Sequence, residues 1–517
     1  MARSTLVIGL DGADWSLLNP LMEDGAMPTL KAFVESGVSA TLESIRPTNS
    51  MSAWTSLMTG VNPGKHGVYD FVRKTDTPFK TTVTNSSVIA FPTIWETLTA
   101  AGRTSCVIDM PPLYPPFEIN GAMIGGMGAV TSFDRSYTWP AELAAEVENA
   151  VGKFLPDVAW VGKEGQQEEL LEAWSALVDN RRKVAEYMMS KQAWDVFFIV
   201  FVAPDRVQHL FWQELTEHGP LYSKVRRFYE KLDETIASLI ERVDTTESDV
   251  LLVSDHGFRT FRNTFDVNRV LAEAGLLKWH DAGPLAARML RKAGTIIPPL
   301  AGRLAQISQR RYPTKRELLA SSVAYSDLSD SVHLNLAGRE STGSVTPGEV
   351  ESVRELVTST LMEFRDPDSG QPVIKEVLNG DDYFHGPHDE NAPDLLLECH
   401  DGYAHNNGLG LVMFRWAYCQ GVHSMNGIIA GLGPSFRRET KAPTVSILDV
   451  TPTLLALQGI GAPEGTDGRA AEELLERTPQ PAEQTPAPSE RSGEATPYTE
   501  EEEEAVRERL RGLGYIE

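Results

Sequence analysis

The chain has 517 residues, 41% of them hydrophobic, so it is long enough to bury a large core. Its formal net charge of −25 argues against a general binder of nucleic-acid polymers, because such proteins hold the phosphate backbone with clustered Lys and Arg. The three cysteines, Cys106, Cys399 and Cys419, share no C-x-x-C spacing, which excludes a disulfide framework and predicts a reducing compartment.

The N-terminal region lacks the pattern of a signal peptide. The apolar run from Thr5 to Leu10 is too short for a signal-peptide core, and no later run reaches the roughly 18 apolar residues of a membrane span. We therefore expect a soluble, cytoplasmic protein with no transmembrane segment. The excess of Arg and Lys between Arg288 and Arg316 leaves open a weak contact with an anionic surface, although a solvated helix face is the simpler interpretation. The oligomeric state is left open.

Five short apolar runs, each bounded by Gly, Pro or Asp, predict strands. In chain order they are Thr5 to Leu10, Ser105 to Ile108, Val196 to Val202, Val250 to Val253 and Ile428 to Ala430. Nearly unbroken apolar strands are typical of a sheet buried on both faces. Helical patterns lie between these runs, the clearest extending from Leu221 to Ile240. The alternation predicts an α/β fold with a large, mainly parallel central sheet and helices on both faces.

The regularity of these patterns divides the chain into four parts. We expect a catalytic core from residues 1–257 and 419–475, interrupted by an inserted cap region at 258–418 that contributes some core elements. Residues 476–499 are rich in Pro, Thr and Glu and poor in apolar residues, which predicts a disordered linker. Residues 500–517 carry Val506, Leu510 and Leu513 at helical spacing and predict one short helix.

Polar residues follow three of the predicted strands. Asp11 follows the first strand, Asp205 and His209 follow the third, and Asp255 and His256 follow the fourth. The carboxyl ends of parallel strands share one edge of a sheet, so we expect these side chains to gather there. Taken singly, each motif has a plainer interpretation: an Asp-Gly pair after a strand is usually a turn, and an Asp and a His four residues apart are usually a surface pair. The adjacent Asp255 and His256 are the sharpest signal, because burial would leave both poorly satisfied.

Ser50 lies in a polar loop before the helix-like segment from Ala53 to Met58. A helix N-terminus offers free N–H groups and the positive end of a dipole, which suits an incoming phosphate. The whole set of fragments, in this order, resembles the nucleotide pyrophosphatase/phosphodiesterase branch (type I) of the alkaline phosphatase superfamily. The resemblance extends from Leu6 to about Gly468, and it places Ser50 at the attacking Thr or Ser of the family.

The matched motifs are spread along the chain. They are Val7-Ile8-Gly9-Leu10-Asp11-Gly12, the segment from Pro47 to Gly60, Pro63-Gly64-Lys65-His66-Gly67, Pro204-Asp205 with His209, Ser254-Asp255-His256-Gly257, Gly421-Val422-His423, Asp449-Val450-Thr451-Pro452-Thr453 and Asp467-Gly468-Arg469. The resemblance implies an alkaline phosphatase-like fold and two divalent metal ions, one on Asp205, His209 and His423 and the other on Asp11, Asp255, His256 and the Ser50 oxygen. Imidazole and carboxylate ligands favour zinc, with manganese or iron possible.

The resemblance implies hydrolysis of a small phosphodiester or nucleotide pyrophosphate, with Ser50 as the catalytic nucleophile and a phosphoseryl intermediate. Family members that act on nucleotide diesters carry an Asn three residues after the nucleophile, where this chain has Ala53. Asn49 is a candidate substitute for substrate binding, and the backbone N–H of Met51 is a candidate for binding a phosphate oxygen. A phosphomonoesterase of the same superfamily and a non-catalytic, metal-bearing scaffold stay open as alternatives.

Two related enzyme classes and several histidines are set aside. Sulfatases carry an Arg four residues after the nucleophile, where this chain has Trp54, and cofactor-independent phosphoglycerate mutases carry a large domain soon after their serine, which is absent here. Five of the eight histidines outside the set are interpreted as structural or solvated, and His405 is not expected to contact substrate. They are His66, His385, His388, His400 and His405.

Overall fold

The computed structural model describes residues 3–74, 81–126, 137–155, 157–161, 163, 165–278, 319–327, 330–407, 413–414, 419–477 and 498–515. The segment from Arg288 to Arg316 and residues 478–497 of the predicted linker lie outside this part of the chain, so both predictions stay untested. Among the helices of the described residues, none has the length and apolarity that crossing a bilayer requires. The cytoplasmic location stays a prediction.

Twenty strands are present in the described residues. In chain order they are β1 Thr5–Leu10, β2 Val38–Glu43, β3 Val72–Lys74, β4 Thr81–Val83, β5 Ser105–Ile108, β6 Gly121–Ile124, β7 Thr138–Trp139, β8 Val196–Phe201, β9 Asp249–Val253, β10 Gly257–Asp266, β11 Ala324–Tyr325, β12 Ser331–Leu334, β13 Ile374–Asn379, β14 Leu395–Cys399, β15 Gly402–Asn406, β16 Met413–Phe414, β17 Gly421–Ser424, β18 Asn426–Leu432, β19 Thr440–Lys441 and β20 Val445–Ser446. All five predicted strands are among them.

Thirteen α-helices accompany these strands in the same part of the chain. They are α1 Trp15–Glu23, α2 Pro28–Ser36, α3 Ser50–Thr59, α4 Pro63–His66, α5 Ile94–Ala100, α6 Leu143–Val151, α7 Gln167–Lys191, α8 Ala203–Thr216, α9 Tyr222–Ile240, α10 Val267–Glu273, α11 Val350–Glu363, α12 Val450–Leu457 and α13 Glu500–Gly512. The helical pattern that begins at Leu221 corresponds to α9, with Leu221 as its N-cap residue.

A ten-stranded sheet forms the centre of the fold, in the order β19-β2-β18-β9-β1-β8-β5-β6-β7, with β20 also paired to β2. The run from β9 to β6 is parallel, whereas β18 is antiparallel to both of its neighbours and β7 is antiparallel to β6. The prediction of a large, mainly parallel sheet is therefore confirmed. Because successive side chains of a strand point to opposite faces, Phe198 of β8 packs under the indoles of Trp54 and Trp95 while Phe197 contacts Trp194 on the other face.

The register of the parallel strands fixes where the site forms. Leu10 pairs with Phe201, and Gly9 pairs with Val253, so three strands end at nearly the same level. The residues that follow them, Asp11 among them, therefore emerge at one edge of the sheet.

A second apolar cluster lies apart from the core of the sheet. It is built from residues between 265 and 399, including Phe265, Tyr325 and Leu361, and it packs helices α10 and α11 on the small sheet of β11 to β14. Phe258 and Ala404, which also fall within 258–418, belong to the main core instead. The division into a catalytic core and an inserted cap stays a prediction.

Candidate functional site

The first group of site residues comes from the ends of β1 and β9. Asp11 directly follows β1 and is fully buried. Gly12 then turns the chain with a φ of 69°, and a Cβ at this position would lie 2.5 Å from the ring of Phe258, so only glycine fits. The Gly12 N–H donates to Asp255 Oδ1 at 3.1 Å. The turn thus holds the carboxylates of Asp11 and Asp255 side by side.

Helix α3 presents Ser50 to these carboxylates. Asn49 caps the helix, since its Oδ1 accepts from the Ser52 N–H at 3.0 Å, and its Nδ2 donates to the Tyr69 carbonyl at 2.9 Å. Ser50 is the first residue of the helix and is 0% exposed. Its Oγ lies 3.4 Å from Asp11 Oδ1 and 3.4 Å from His256 Nε2. The hydroxyl is therefore fixed at a helix N-terminus beside an acidic and an imidazole group.

Helix α8 and strand β17 supply the second group. Asp205 and His209 are one helical turn apart on α8, and their Oδ1 and Nε2 atoms are 3.5 Å apart. Strand β17 pairs antiparallel with β10, with His423 opposite Phe258. His423 Nε2 consequently lies 3.1 Å from Asp205 Oδ1 and 3.1 Å from His209 Nε2.

His256 joins the two groups. Its Nε2 is 3.3 Å from Asp255 Oδ2, 3.7 Å from Asp11 Oδ1 and 4.0 Å from Asp205 Oδ1, and its ring stacks on His423 with centroids 3.7 Å apart. All seven predicted side chains therefore converge, although they are spread over more than four hundred residues of sequence. Among the described residues, two groups of three side chains each bring their ligand atoms within 4.8 Å of one another. One group is Asp11, Asp255 and His256, and the other is Asp205, His256 and His423.

The three imidazoles are oriented in the same way. Each Nδ1 faces a backbone carbonyl: His209 that of Gly421 at 2.9 Å, His423 that of Thr48 at 2.9 Å, and His256 that of Gly257 at 3.1 Å. A carbonyl can only accept, so Nδ1 carries the proton and the Nε2 lone pair points into the cluster. This tautomer, fixed by a backbone acceptor, is the one that metal-ligating histidines adopt.

The surroundings disfavour the charged forms of Asp11 and Asp255, whereas for Asp205 the effect of burial is outweighed by His209, His423 and Arg206, which lower its pKa well below the ordinary value. Burial, and then the charges of Asp255 and Asp205, raise the pKa of Asp11 well above its ordinary value. Burial is also the main cause that raises the pKa of Asp255 to about 7, with the N–H of Gly12 opposing it and Asp205 adding to it. Burial lowers the pKa of His209 to about 4, which leaves this imidazole neutral at pH 7. A cation between these groups would relieve the repulsion.

One atom of the cluster makes the fit to a cation explicit. Asp255 is only 1% exposed, and its Oδ2 atom is buried and accepts no hydrogen bond from any described residue. Buried carboxylate oxygens are ordinarily satisfied by donors or by metal ions. Together with three Nε2 lone pairs, this oxygen completes a set of donors that can bind divalent metal ions, and mixed nitrogen and oxygen ligands suit transition metals.

The cluster opens into a cavity of about 1070 Å³. His209, His423 and Asn49 line it, together with residues from the predicted cap such as Leu397. The side chain of Met51 lines a different and much smaller pocket, next to Tyr114 and Val506. Met51 can therefore face the site only through its backbone N–H, which as the second N–H of the helix has no intrahelical partner.

His405 lines the same cavity as His423 and forms an ion pair with Asp330. The expectation that it does not contact substrate stays a prediction. The other set-aside histidines include His66, which is buried against the Ser56 hydroxyl at 2.9 Å as a structural residue, and His385, whose side chain is 65% exposed.

Sequence reasoning missed three residues that contact the cluster from outside. Trp54 donates its indole N–H to Asp11 Oδ2 at 3.2 Å, and Arg206 forms buried ion pairs with Asp205 and Asp157. Tyr515 accepts from Arg206 and lies 3.4 Å from Asp205 Oδ2. Trp54 and Arg206 stand within or beside matched motifs and could have been noticed. Tyr515 carries no signal in the sequence.

The fold and the site together define a class: an α/β protein with a serine hydroxyl at a helix N-terminus, beside buried carboxylates and imidazoles that can bind metal ions. The sequence model for "Type I phosphodiesterase / nucleotide pyrophosphatase" matches residues 5–426. The chain belongs to this family, which places it among the phosphate-ester hydrolases. A comparison with curated protein sequences found no match.

Solved structures share the fold at low sequence identity. Murine ectonucleotide pyrophosphatase/phosphodiesterase 5 matches with a TM-score of 0.55 and 14% identity over 92% of this chain and 100% of that protein, and the human form gives the same values. Phosphonoacetate hydrolase from Sinorhizobium meliloti 1021, in complex with phosphonoformate, matches with a TM-score of 0.56 and 14% identity over 88% of this chain and 95% of that protein.

Proposed function

We propose that this protein is a metal-dependent phosphodiesterase or nucleotide pyrophosphatase in which Ser50 is the nucleophile. The observation that carries the proposal is the position of the Ser50 hydroxyl, 3.4 Å from both Asp11 and His256 in a cluster whose His209 and His423 line a large cavity. Family membership supports phosphate-ester hydrolysis as the reaction class. The finer steps, including the covalent intermediate, are inferred from the chemistry of the residues.

Two divalent cations are part of the proposal, zinc first, with manganese or iron as possible substitutes. Asp205, His209 and His423 would hold one ion. Asp11, Asp255, His256 and the Ser50 oxygen would hold the other. Bound there, the cations supply positive charge that lowers the pKa of the serine hydroxyl and neutralises charge on the phosphoryl oxygens.

The protein residues carry out a two-step displacement in this scheme. Asp11 Oδ1 accepts the hydrogen bond of Ser50 and orients its Oγ, which attacks phosphorus. The bond from phosphorus to the leaving ester oxygen breaks, the proton lost from the Ser50 hydroxyl passes to the departing oxygen by way of solvent, and a phosphoseryl group remains on Ser50. Water then attacks the phosphoserine and breaks its bond to the serine oxygen, which takes up a proton from that water, so the phosphate product leaves and the hydroxyl is restored. The N–H of Met51, at the N-terminus of α3, is placed to donate to a non-bridging oxygen.

The cavity favours a diester over a monoester. At about 1070 Å³ it has room for a second substituent on phosphorus, which a monoesterase does not need. One matched structure is an inactive variant of the murine protein in complex with AMP, so a nucleotide is a reasonable ligand to test here. Asn49 stays a proposed substrate contact: the capping bond uses its carbonyl oxygen and Tyr69 uses one amide hydrogen, which leaves the second hydrogen for a phosphate oxygen.

The test replaces Ser50 with Ala and compares two chromogenic substrates, bis-p-nitrophenyl phosphate and p-nitrophenyl phosphate. Ser50→Ala should lower kcat for the diester by at least about 10³-fold, because the substitution removes the proposed nucleophile. Bound metal, measured by elemental analysis, should stay at least partly in place. Ser52→Ala is the matched control, since its Oγ is buried in the same helix without a partner among the described residues.

The outcomes separate the alternatives. Wild-type activity in metal-replete Ser50→Ala would contradict the covalent route. A higher kcat/KM for the monoester in the wild-type protein would favour the phosphomonoesterase. Bound metal without turnover of either substrate would favour the non-catalytic scaffold.

A further inference from the structure

The C-terminal segment, residues 498–515, packs directly against the core. Its helix α13 buries Val506 and Leu510 in the main apolar cluster. At the last residue of this helix, the carbonyl of Gly512 accepts from two consecutive backbone N–H groups, those of Trp160 and Val161, at 2.9 Å each. Backbone pairing of this kind fixes the path of the chain more tightly than side-chain packing alone.

The end of this segment reaches the active-site cavity. The ring of Tyr515 stacks on Phe71 with centroids 3.8 Å apart, and Leu513, Gly514 and Tyr515 line the cavity beside His209. The segment therefore forms one wall of the space that we assign to the substrate.

Arg206 connects Tyr515 to the metal-ligand cluster. Its side chain is 0% exposed, and its Nη2 lies 2.7 Å from Asp157 Oδ2. Its Nη1 donates both to Asp205 Oδ2 and to the hydroxyl of Tyr515, and the guanidinium carbon is 4.8 Å from the centroid of the Tyr515 ring. A buried guanidinium is costly unless its hydrogens have partners, so Tyr515 supplies part of the environment that keeps Arg206 in place.

The two oxygens of Asp205 face opposite ways. Oδ1 faces the imidazoles, 3.1 Å from His423 Nε2. Oδ2 faces away from them and accepts from Arg206, with the Tyr515 hydroxyl 3.4 Å away. A carboxylate held through one oxygen keeps the other aimed at the metal position, which is how outer-shell partners raise metal affinity.

We infer that the C-terminal segment is required for the active site to bind metal. Within it, Tyr515 is a positioning residue that orients Asp205 both directly and through Arg206. The inference rests on the proposed function in one respect, since it takes Asp205 as a metal ligand. It adds that a segment joined to the core through residues 478–497 must be docked for the site to bind metal tightly.

Zinc affinity tests this without any assay of turnover. Metal-free full-length protein is titrated with zinc against a chromogenic chelator, and Tyr515→Phe should raise the Kd by about tenfold, the lower end of the range for lost outer-shell partners. The phenyl ring keeps the stacking on Phe71, so the variant should still fold, with a melting temperature lowered by no more than a few degrees for the lost hydrogen bond to Arg206. Tyr222→Phe is the matched control, because it also loses a tyrosine hydrogen bond, 2.8 Å to Asp24, but at the surface.

A second measurement checks the docking itself. Hydrogen exchange of the full-length protein should show protected amides at Trp160, at Val161 and along α13, since the first two donate to Gly512. Deletion of residues 498–517 should remove the protection at Trp160 and Val161. The deletion should also weaken zinc binding at least as much as Tyr515→Phe does.

The results distinguish this inference from the proposed function. If wild-type protein binds zinc and Tyr515→Phe binds it equally well, the positioning role is wrong while the proposed function stands. If wild-type protein does not bind zinc, manganese or iron, the proposed function fails first. Unprotected amides along α13 would overturn the docked segment.

Discussion

Side chains that never touch substrate set the geometry of the reacting groups. Trp54 shows this at the scale of a residue. Its indole is completely buried, packs edge-on against Phe198, and directs its N–H to Asp11 Oδ2 at 3.2 Å. Asp11 Oδ1 meanwhile faces Ser50. The indole therefore fixes the carboxylate that orients the nucleophile.

Trp54→Phe should separate this role from simple packing. The variant keeps an aromatic ring but removes the indole N–H that donates to Asp11, so we expect kcat for the diester to fall by about tenfold or more. Trp95→Phe is the control: Trp95 packs on the same Phe198, and its indole N–H has no partner in the described structure. Both variants should lose stability through the cavity left behind, measured by urea denaturation. Equal losses of activity in the two variants would contradict the positioning role of Trp54.

At the scale of an element, the N-terminus of helix α3 fixes the position of Ser50. Asn49 caps this helix and also lines the cavity. The two roles use different atoms. The carbonyl oxygen accepts from Ser52, whereas only the amide nitrogen can donate to a phosphate.

A pair of substitutions resolves the two roles of Asn49. Asn49→Ala removes both, so the free energy of unfolding should fall by about 1 kcal/mol and KM for the diester should rise. Asn49→Ser keeps a good capping oxygen and should preserve most of the stability, but it lacks the amide and should raise KM to a similar extent. Chemical denaturation and steady-state kinetics measure the two effects. An unchanged KM in both variants would leave Asn49 as a cap alone.

The sequence predicted five strands of the central sheet because each is a short, nearly unbroken apolar run. It predicted the ligands that follow three of those runs from their position, whereas Ser50 and His423 were assigned from the family resemblance. It did not predict that β18 enters the sheet antiparallel, since an apolar run has no direction of its own. The two-residue strands β7, β19 and β20 are too short for any periodicity to show. The contact of Tyr515 with Asp205 could not be predicted for another reason, because it joins residues 310 positions apart and depends on how α13 packs on the core.

The buried charges at this site lower the free energy of unfolding of the whole metal-free protein. Asp11, Asp205 and Asp255 are each no more than 1% exposed and gather around the same imidazoles, and Arg206 is the buried cation beside them. Burial and like charge destabilise the folded state of the metal-free protein, whereas bound cations stabilise it by mass action. The loss of one carboxylate should therefore weaken metal binding but stabilise the metal-free protein.

Asp255→Asn tests both effects at pH 8, where the wild-type carboxylate is ionised. Because the pKa of Asp255 is raised to about 7, its destabilising effect grows as pH rises from about 4 to 7 and is complete at pH 8. After chelation, the variant should therefore be more stable than the wild type by on the order of 2 kcal/mol. Zinc at about 100 times the wild-type Kd should stabilise the wild type by about 2.7 kcal/mol, and the variant gains less because it lacks one ligand carboxylate, so the difference between the two should shrink. Calorimetry with and without zinc measures both, and a wild type that is more stable in both states would show that the buried charges carry no such cost.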